Sequence, residues 1–190
     1  MTETSDSMRV TTGRVLDEYL VVAAAAGDRR AFEDLARRWH RKLEAHAWRL
    51  TGDREAARDA AQAGWVEIAR GIGGLRDERA FPAWAYRIVS RRCARLIADR
   101  QQDRALSRDL AAQPEPVPET SDGTADVRRL HAAIRELPSA QRAAIALFHF
   151  EDLTIAEVAV ALDAPAGTIK TRLMHARRTL RAVLEGEDDA

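Results

Sequence analysis

The residues with most to offer chemically lie near the end of the chain. Lys170, Arg172, His175, Arg177, Arg178 and Arg181 crowd the run TIKTRLMHARRTLR, and no carboxylate appears from Ala164 to Leu184. Ammonium and guanidinium groups at this density bind phosphates and hydrogen-bond base edges. Ile169, Leu173, Ala176, Leu180, Val183 and Leu184 recur at three and four residues, which makes one apolar helical stripe. Lys170, Thr171, Met174, His175 and Arg178 then share an outward arc of about a third of a turn. Alone, such an arc serves equally well as a solubilising surface. Its surroundings favour nucleic acid. Thr154 and Glu157 are spaced as a capping box ahead of TIAEVAVALD, and the short turn APAG leads into the basic helix. Two helices across a tight turn, the second one basic, form a helix-turn-helix pattern.

A second basic stretch, WAYRIVSRRCARLIADRQQDR, sets six Arg against two Asp. Arg87, Arg91 and Arg95 stand four residues apart, on one helical stripe. Behind the loop GGLRDERAFPAW, that stripe suits single-stranded DNA, since guanidinium groups take phosphates and stack on bases. The alternative for Arg91 and Arg95 is that they face solvent or pair with Asp99 and other nearby acids. Asp59 and Gln62 lie one turn apart, followed by Trp65, and an aromatic beside polar donors is an interface anchor. Trp65 and Trp84 also fit a core.

Thirty Lys and Arg balance thirty Asp and Glu, so attraction to nucleic acid has to come from local asymmetry. The opposite charge sits in DLAAQPEPVPETSDGTAD and the tail EGEDDA. The one cysteine, Cys93, excludes an internal disulfide. Its arginine neighbours would lower its pKa, and a small buried helix position would make it inert. His40 and His46 face different sides of a helix, and His131 and His149 are isolated. With no Cys cluster, phosphate-cradling loop or serine nucleophile motif, no metal, cofactor or catalytic site is expected. The apolar run YLVVAAAA is far short of the roughly 20 residues a membrane helix needs, so no membrane insertion is expected and the cytoplasm is the expected location.

The elements that hold these residues read as helices throughout. Residues 1–15 are expected to be disordered, with helical patterning from Leu16 to a stop at Gly27. Asp28 suits an N-cap for a helix with Phe32, Leu35, Trp39, Leu43, Ala47 and Leu50 as its buried stripe. Asp53 caps a third helix that ends in GIGGL, and a fourth runs from about Phe81 to Arg100. Residues 105–125, with three prolines in QPEPVPETSDG, read as a flexible acidic linker. Helices resume at Asp126, one ending before Pro138 and the next capped by Ser139. The expected fold is all-α: two small helical domains, 16–104 and 126–185, the second a helix-turn-helix, with an acidic tail at 186–190.

The run LPSAQRAAIALFHFEDLTIAEVAVALDAPAGTIKTRLMHARRTLR resembles the C-terminal domain of extracytoplasmic-function sigma factors, of the sigma-70 family. AAAGDRRAFEDLARRWHRKLEAHAWRLTGDREAARDAAQAGWVEIAR resembles their polymerase-gripping helices, and AFPAWAYRIVSRRCARLIADR their promoter-melting helix. The resemblance spans residues 16 to 184. It implies a factor that binds core RNA polymerase and directs it to promoter DNA, often under an anti-sigma factor. Thr168, Lys170, Thr171, Arg172, Met174, His175, Arg177 and Arg178 would then meet the minus-thirty-five duplex. Leu75, Arg76, Ala80 and Phe81 would line one side of a pocket for a flipped minus-ten base, with Arg87, Arg91 and Arg95 on the helix. Asp59, Gln62 and Trp65 would face polymerase. Relatives usually have Asn near Arg91, Asp or Asn near Arg95, and often Arg at His175, so base preference is expected to differ here. A linker of about 20 residues reaches up to roughly 70 Å, enough for two turns of duplex. The rival readings are a stand-alone helix-turn-helix regulator, for which no heptad dimer seam is visible, and a helical adaptor, which would not need the basic helix.

Overall fold

The computed structural model describes residues 3–106 and 125–185, and every regular element among them is helical. Helix α1 spans Glu3–Ala25. The stretch expected to be disordered at 1–15 is thus helical from Glu3, well ahead of the expected start at Leu16. Extending a formed helix adds one hydrogen bond per residue without a second nucleation cost. A tether is also present: Arg38 donates to Asp17 at 2.6 Å and to the Gly13 carbonyl at 3.3 Å.

Helix α2 (Arg29–Thr51) begins where the Asp28 carboxylate accepts the amides of Arg30 and Ala31, as its cap position requires. It ends at Gly52, whose φ of 68° is the left-handed turn that glycine takes without a Cβ clash. Leu35, Trp39, Leu43, Ala47 and Leu50 are buried as expected, together with Ala31 and His46, while Phe32 is half-buried. Asp53 then caps α3 (Arg54–Gly71) through the Ala56 amide. That bond, reinforced by Arg100, holds the Asp53 carboxyl below the usual carboxylate range. Helices α3 and α4 (Phe81–Leu106) approach closely at Gly64, where a Cβ would lie 2.9 Å from Val89 Cγ2.

In the second half, α5 runs Ala125–Glu136 and α6 Ser139–Ile145. Ser139 is not the cap expected of it. Pro138 holds that position without a side-chain bond, and its ring fixes the backbone angle that starts the helix. Nor is the helix regular to its end. It widens into a π-turn at Ala146–Phe150, which swings Glu151 toward the first half. Helix α7 (Ile155–Ala161) carries the full capping box of Thr154 and Glu157, and α8 covers Ala166–Glu185.

The two halves share one continuous apolar core. Helix α4 lies along α7, and α2 against α6 and the π-turn. Of the expected linker, only 105, 106 and 125 fall among the described residues, and they are helical. The stretch 107–124 and the tail 186–190 lie outside them.

Candidate nucleic-acid interface

Helix α8 buries Ile169, Leu173, Ala176 and Leu180. Burial of this stripe turns Lys170, Thr171, Met174, Arg177 and Arg178 outward, Met174 at 57 % exposure. His175 is half-buried and its Nδ1 lies 3.1 Å from the Arg178 guanidinium. Thr168 is half-buried at the start of the helix. Arg177 leans back over the Phe148 ring at 5.3 Å and sits 3.3 Å from His149 Nε2. Burial, with that guanidinium, pushes the His149 pKa down. Arg172 differs from its neighbours on the helix. It is half-buried and lines a cavity of about 380 Å³ between the halves, with Arg91, Arg142 and Asp163. Its side chain therefore belongs to the inner side of α8, not to the outward arc.

On α4 the arginine stripe is divided. Arg87 and Arg91 each donate to Asp163 at 3.0 Å, one to each carboxylate oxygen. The two guanidinium groups, Arg91 first, hold the Asp163 carboxyl below its ordinary range. Arg95 remains exposed. Arg91 thus pairs with an acid far away in sequence and not with Asp99, and Arg87 shares that partner. Ahead of α4, Arg76 is exposed, while Leu75 and Ala80 are half-buried. Phe81 needs correcting: it is 0 % exposed and meets Trp39 edge-on at 5.2 Å. An aromatic ring gains more from the core than from water, so it is not open to a base. Trp84 packs between Phe81 and Gly71, in line with its core reading.

Asp59 and Gln62 are exposed on α3. Trp65 beside them is half-buried, edge-on to Phe32 at 5.9 Å. Cys93 is fully buried, and burial pushes its thiol up to about 12. Its arginine neighbours in sequence do not activate it. His46, also buried, contacts Ser90 Oγ at 2.9 Å, and burial, aided by Arg49, lowers its pKa to about 3.

Sequence reasoning missed the residues that join the halves. Glu151 takes Arg49 at 2.5 Å and accepts a short hydrogen bond from the buried Tyr86 hydroxyl. Burial raises the Glu151 pKa against the pull of these two partners. One signal was present: Asp163 is the last acid before the carboxylate-free run 164–184.

Residues 35–103 match the model of Sigma-70 region 2, and residues 127–180 that of Sigma-70, region 4. The ECF RNA polymerase sigma factor SigM of Mycobacterium tuberculosis is 36 % identical over 171 residues, covering 88 % of this chain and 84 % of that one. The chain belongs to the extracytoplasmic-function sigma factors. The RNA polymerase sigma-H factor of Pseudomonas aeruginosa is 27 % identical over 182 residues, 89 % of this chain and 94 % of that one. Two solved structures share the sigma-factor fold. The sigma factor RpoE of Bartonella quintana, in complex with the anti-sigma factor NepR, gives a TM-score of 0.70 at 20 % identity, over 82 % of this chain and 98 % of that one. CnrH, in complex with the cytosolic domain of CnrY, gives 0.66 at 22 %, over 90 % and 99 %. As a sigma factor, the protein directs RNA polymerase to promoters. The stand-alone regulator is not favoured, because region 2 occupies 35–103 beside region 4. No helix among the described residues is long and apolar enough to cross a membrane.

Proposed function

We propose that this sigma factor reads minus-thirty-five duplex with α8 and holds the opened minus-ten strand with α4 and the loop before it. The observation that carries the reading is the split of α8 into a core-packed stripe and a solvent-facing arc without carboxylates. Lys170, Thr171 and His175 would meet base edges, and Met174 would meet a thymine methyl. Arg177 and Arg178 are suited to phosphates, and Thr168 lies where the helix N-terminus meets the backbone. Arg76, Arg87, Arg91 and Arg95 supply charge to the single strand, beside Leu75 and Ala80. Asp59 and Gln62, with the edge of Trp65, form the face offered to core polymerase. The work is positioning, with no bond chemistry and no cofactor, and its place is the cytoplasm. An anti-sigma factor is the expected antagonist, as the similar RpoE was solved in complex with the anti-sigma factor NepR.

Run-off transcription with purified core polymerase tests the reading. Transcript from a matched promoter should require this chain and fall with Lys170→Ala. Polymerase that starts equally well without the chain would refute it.

A further inference from the structure

We propose that the cavity between α4, α6 and α8 is a binding site for a small amphipathic anion, a phosphate or carboxylate carried on a short apolar body. The inference goes beyond the promoter reading and does not depend on which DNA element either half meets.

Three helices each bring one guanidinium group to this cavity: Arg91 from α4, Arg142 from α6 and Arg172 from α8. The one acid on its wall is Asp163, and that carboxylate is already shared by Arg87 and Arg91 at 3.0 Å each. No carboxylate on the wall is left for the other two. The Arg172 side chain is half-buried and makes no hydrogen bond or ion pair among the described residues. Arg142, also half-buried, donates from Nη1 to the Arg135 carbonyl at 2.6 Å, while its buried Nε meets no acceptor among the described residues. Burial, opposed in part by Glu136, lowers the Arg142 pKa. Guanidinium keeps its proton in proteins all the same, and a charge withdrawn from water without a partner is costly. An anion in the cavity offsets that cost through charge-assisted bonds.

The rest of the wall decides what kind of anion. Leu50, Ile97, Ala143 and Leu162 line it with hydrocarbon. Its volume of about 380 Å³ falls in the range of small-ligand pockets, which combine apolar walls with a few placed polar groups. A bare phosphate would leave that hydrocarbon wet, whereas a ring or short chain beside the anionic group covers it. The three arginines surround one cavity only while the halves are docked, so occupancy also favours the docked form by mass action.

The full-length chain, free of polymerase, is titrated with 1-naphthyl phosphate by calorimetry, beside neutral 1-naphthol and inorganic phosphate. The naphthyl phosphate should bind one to one, and each of the other two about tenfold or more weakly. Arg142→Met and Arg172→Met should each weaken it by about tenfold or more. Ala94→Trp, on the α4 wall of the cavity, should block binding with every charge in place, and it covers the case in which Arg142→Met unfolds the chain. Arg70→Met, an exposed arginine outside the cavity, should change nothing. No saturable binding of naphthyl phosphate would overturn the inference. So would inorganic phosphate binding as tightly, which would mark a plain phosphate site. An Arg70→Met loss equal to that of Arg172→Met would reduce the effect to general surface charge, and full binding by Ala94→Trp would put the ligand elsewhere; either result overturns the assignment. Promoter-directed transcription by wild type is a separate readout, and its outcome leaves this assignment untouched.

Discussion

Helices α4 and α8 carry comparable arginine stripes, yet the fold treats them differently. On α8 the outward arc meets solvent, and no acid on its own helix answers Lys170 or Arg178 before Glu185. On α4 two of three stripe arginines are answered by an acid from the opposite half, and of the three only Arg95 has no acidic partner. Charge along a sequence therefore measures capacity, and availability depends on which carboxylates the tertiary fold delivers. The same contrast holds for apolar groups. Met174 stands out on α8, whereas Phe81, at the head of α4, is sealed in the core.

The largest expected effect sharpens that last point. Phe81→Ala should cost about 3–5 kcal/mol of stability, the range for truncating a buried Phe, seen as a lower urea midpoint. A normal midpoint with weakened strand binding would instead restore Phe81 to a base pocket and erase the difference from Met174. Next come the basic donors of α8. Lys170→Ala and His175→Ala should each weaken a matched minus-thirty-five duplex by about 1–3 kcal/mol. Arg178→Ala should weaken matched and scrambled duplexes alike. Equal losses on both duplexes for Lys170→Ala would make α8 as unselective as a plain charged face.

Acid separates the two sides as well. His46 lies under α4 against Ser90, and no buried histidine lies under α8 among the described residues. Burial lowers its pKa to about 3 from the usual 6.5. The unfolded chain thus accepts a proton that the fold refuses. Stability falls as pH drops from about 6.5 toward about 3, by up to about 1.4 kcal/mol per pH unit, and is unaffected by this group above that window. Urea titrations across that range should show a shallower slope for His46→Gln. An identical slope would mean that His46 titrates freely. The smallest effect concerns Arg95. Replacing it with Asn should lower the slope of log affinity against log salt by about 0.7 for holoenzyme on minus-ten single strand. No change in slope would class Arg95 with the surface charges and leave α4 without a standing phosphate contact.

Much of the local structure was legible because its causes are local. Asp28, Asp53 and Thr154 cap helices with side chains two or three residues from the amides they bind. The α8 stripe follows from spacing within a single helix. The early start of α1 was not legible, since nothing in MTETSDSMRVTTGRV carries a strong period, and the helix propagates there from residues already folded. The π-turn escaped notice for a related reason. ALFHFEDL reads as continuous helix, and the extra residue per turn shows only in three dimensions.

The sequence by itself determined the helices, their caps, the basic face of α8 and the family signature, because periodicity and motif spacing act over one or two turns. The tertiary structure alone decided which of those charges are spoken for. Asp163 with Arg87 and Arg91, and Glu151 with Arg49 and Tyr86, bring together residues separated by 65 to 102 positions. No local preference specifies such pairs. They exist because α4 packs along α7 and the π-turn brings Glu151 to α2, so the docking of the two halves determines which arginines of this sigma factor have an acidic partner.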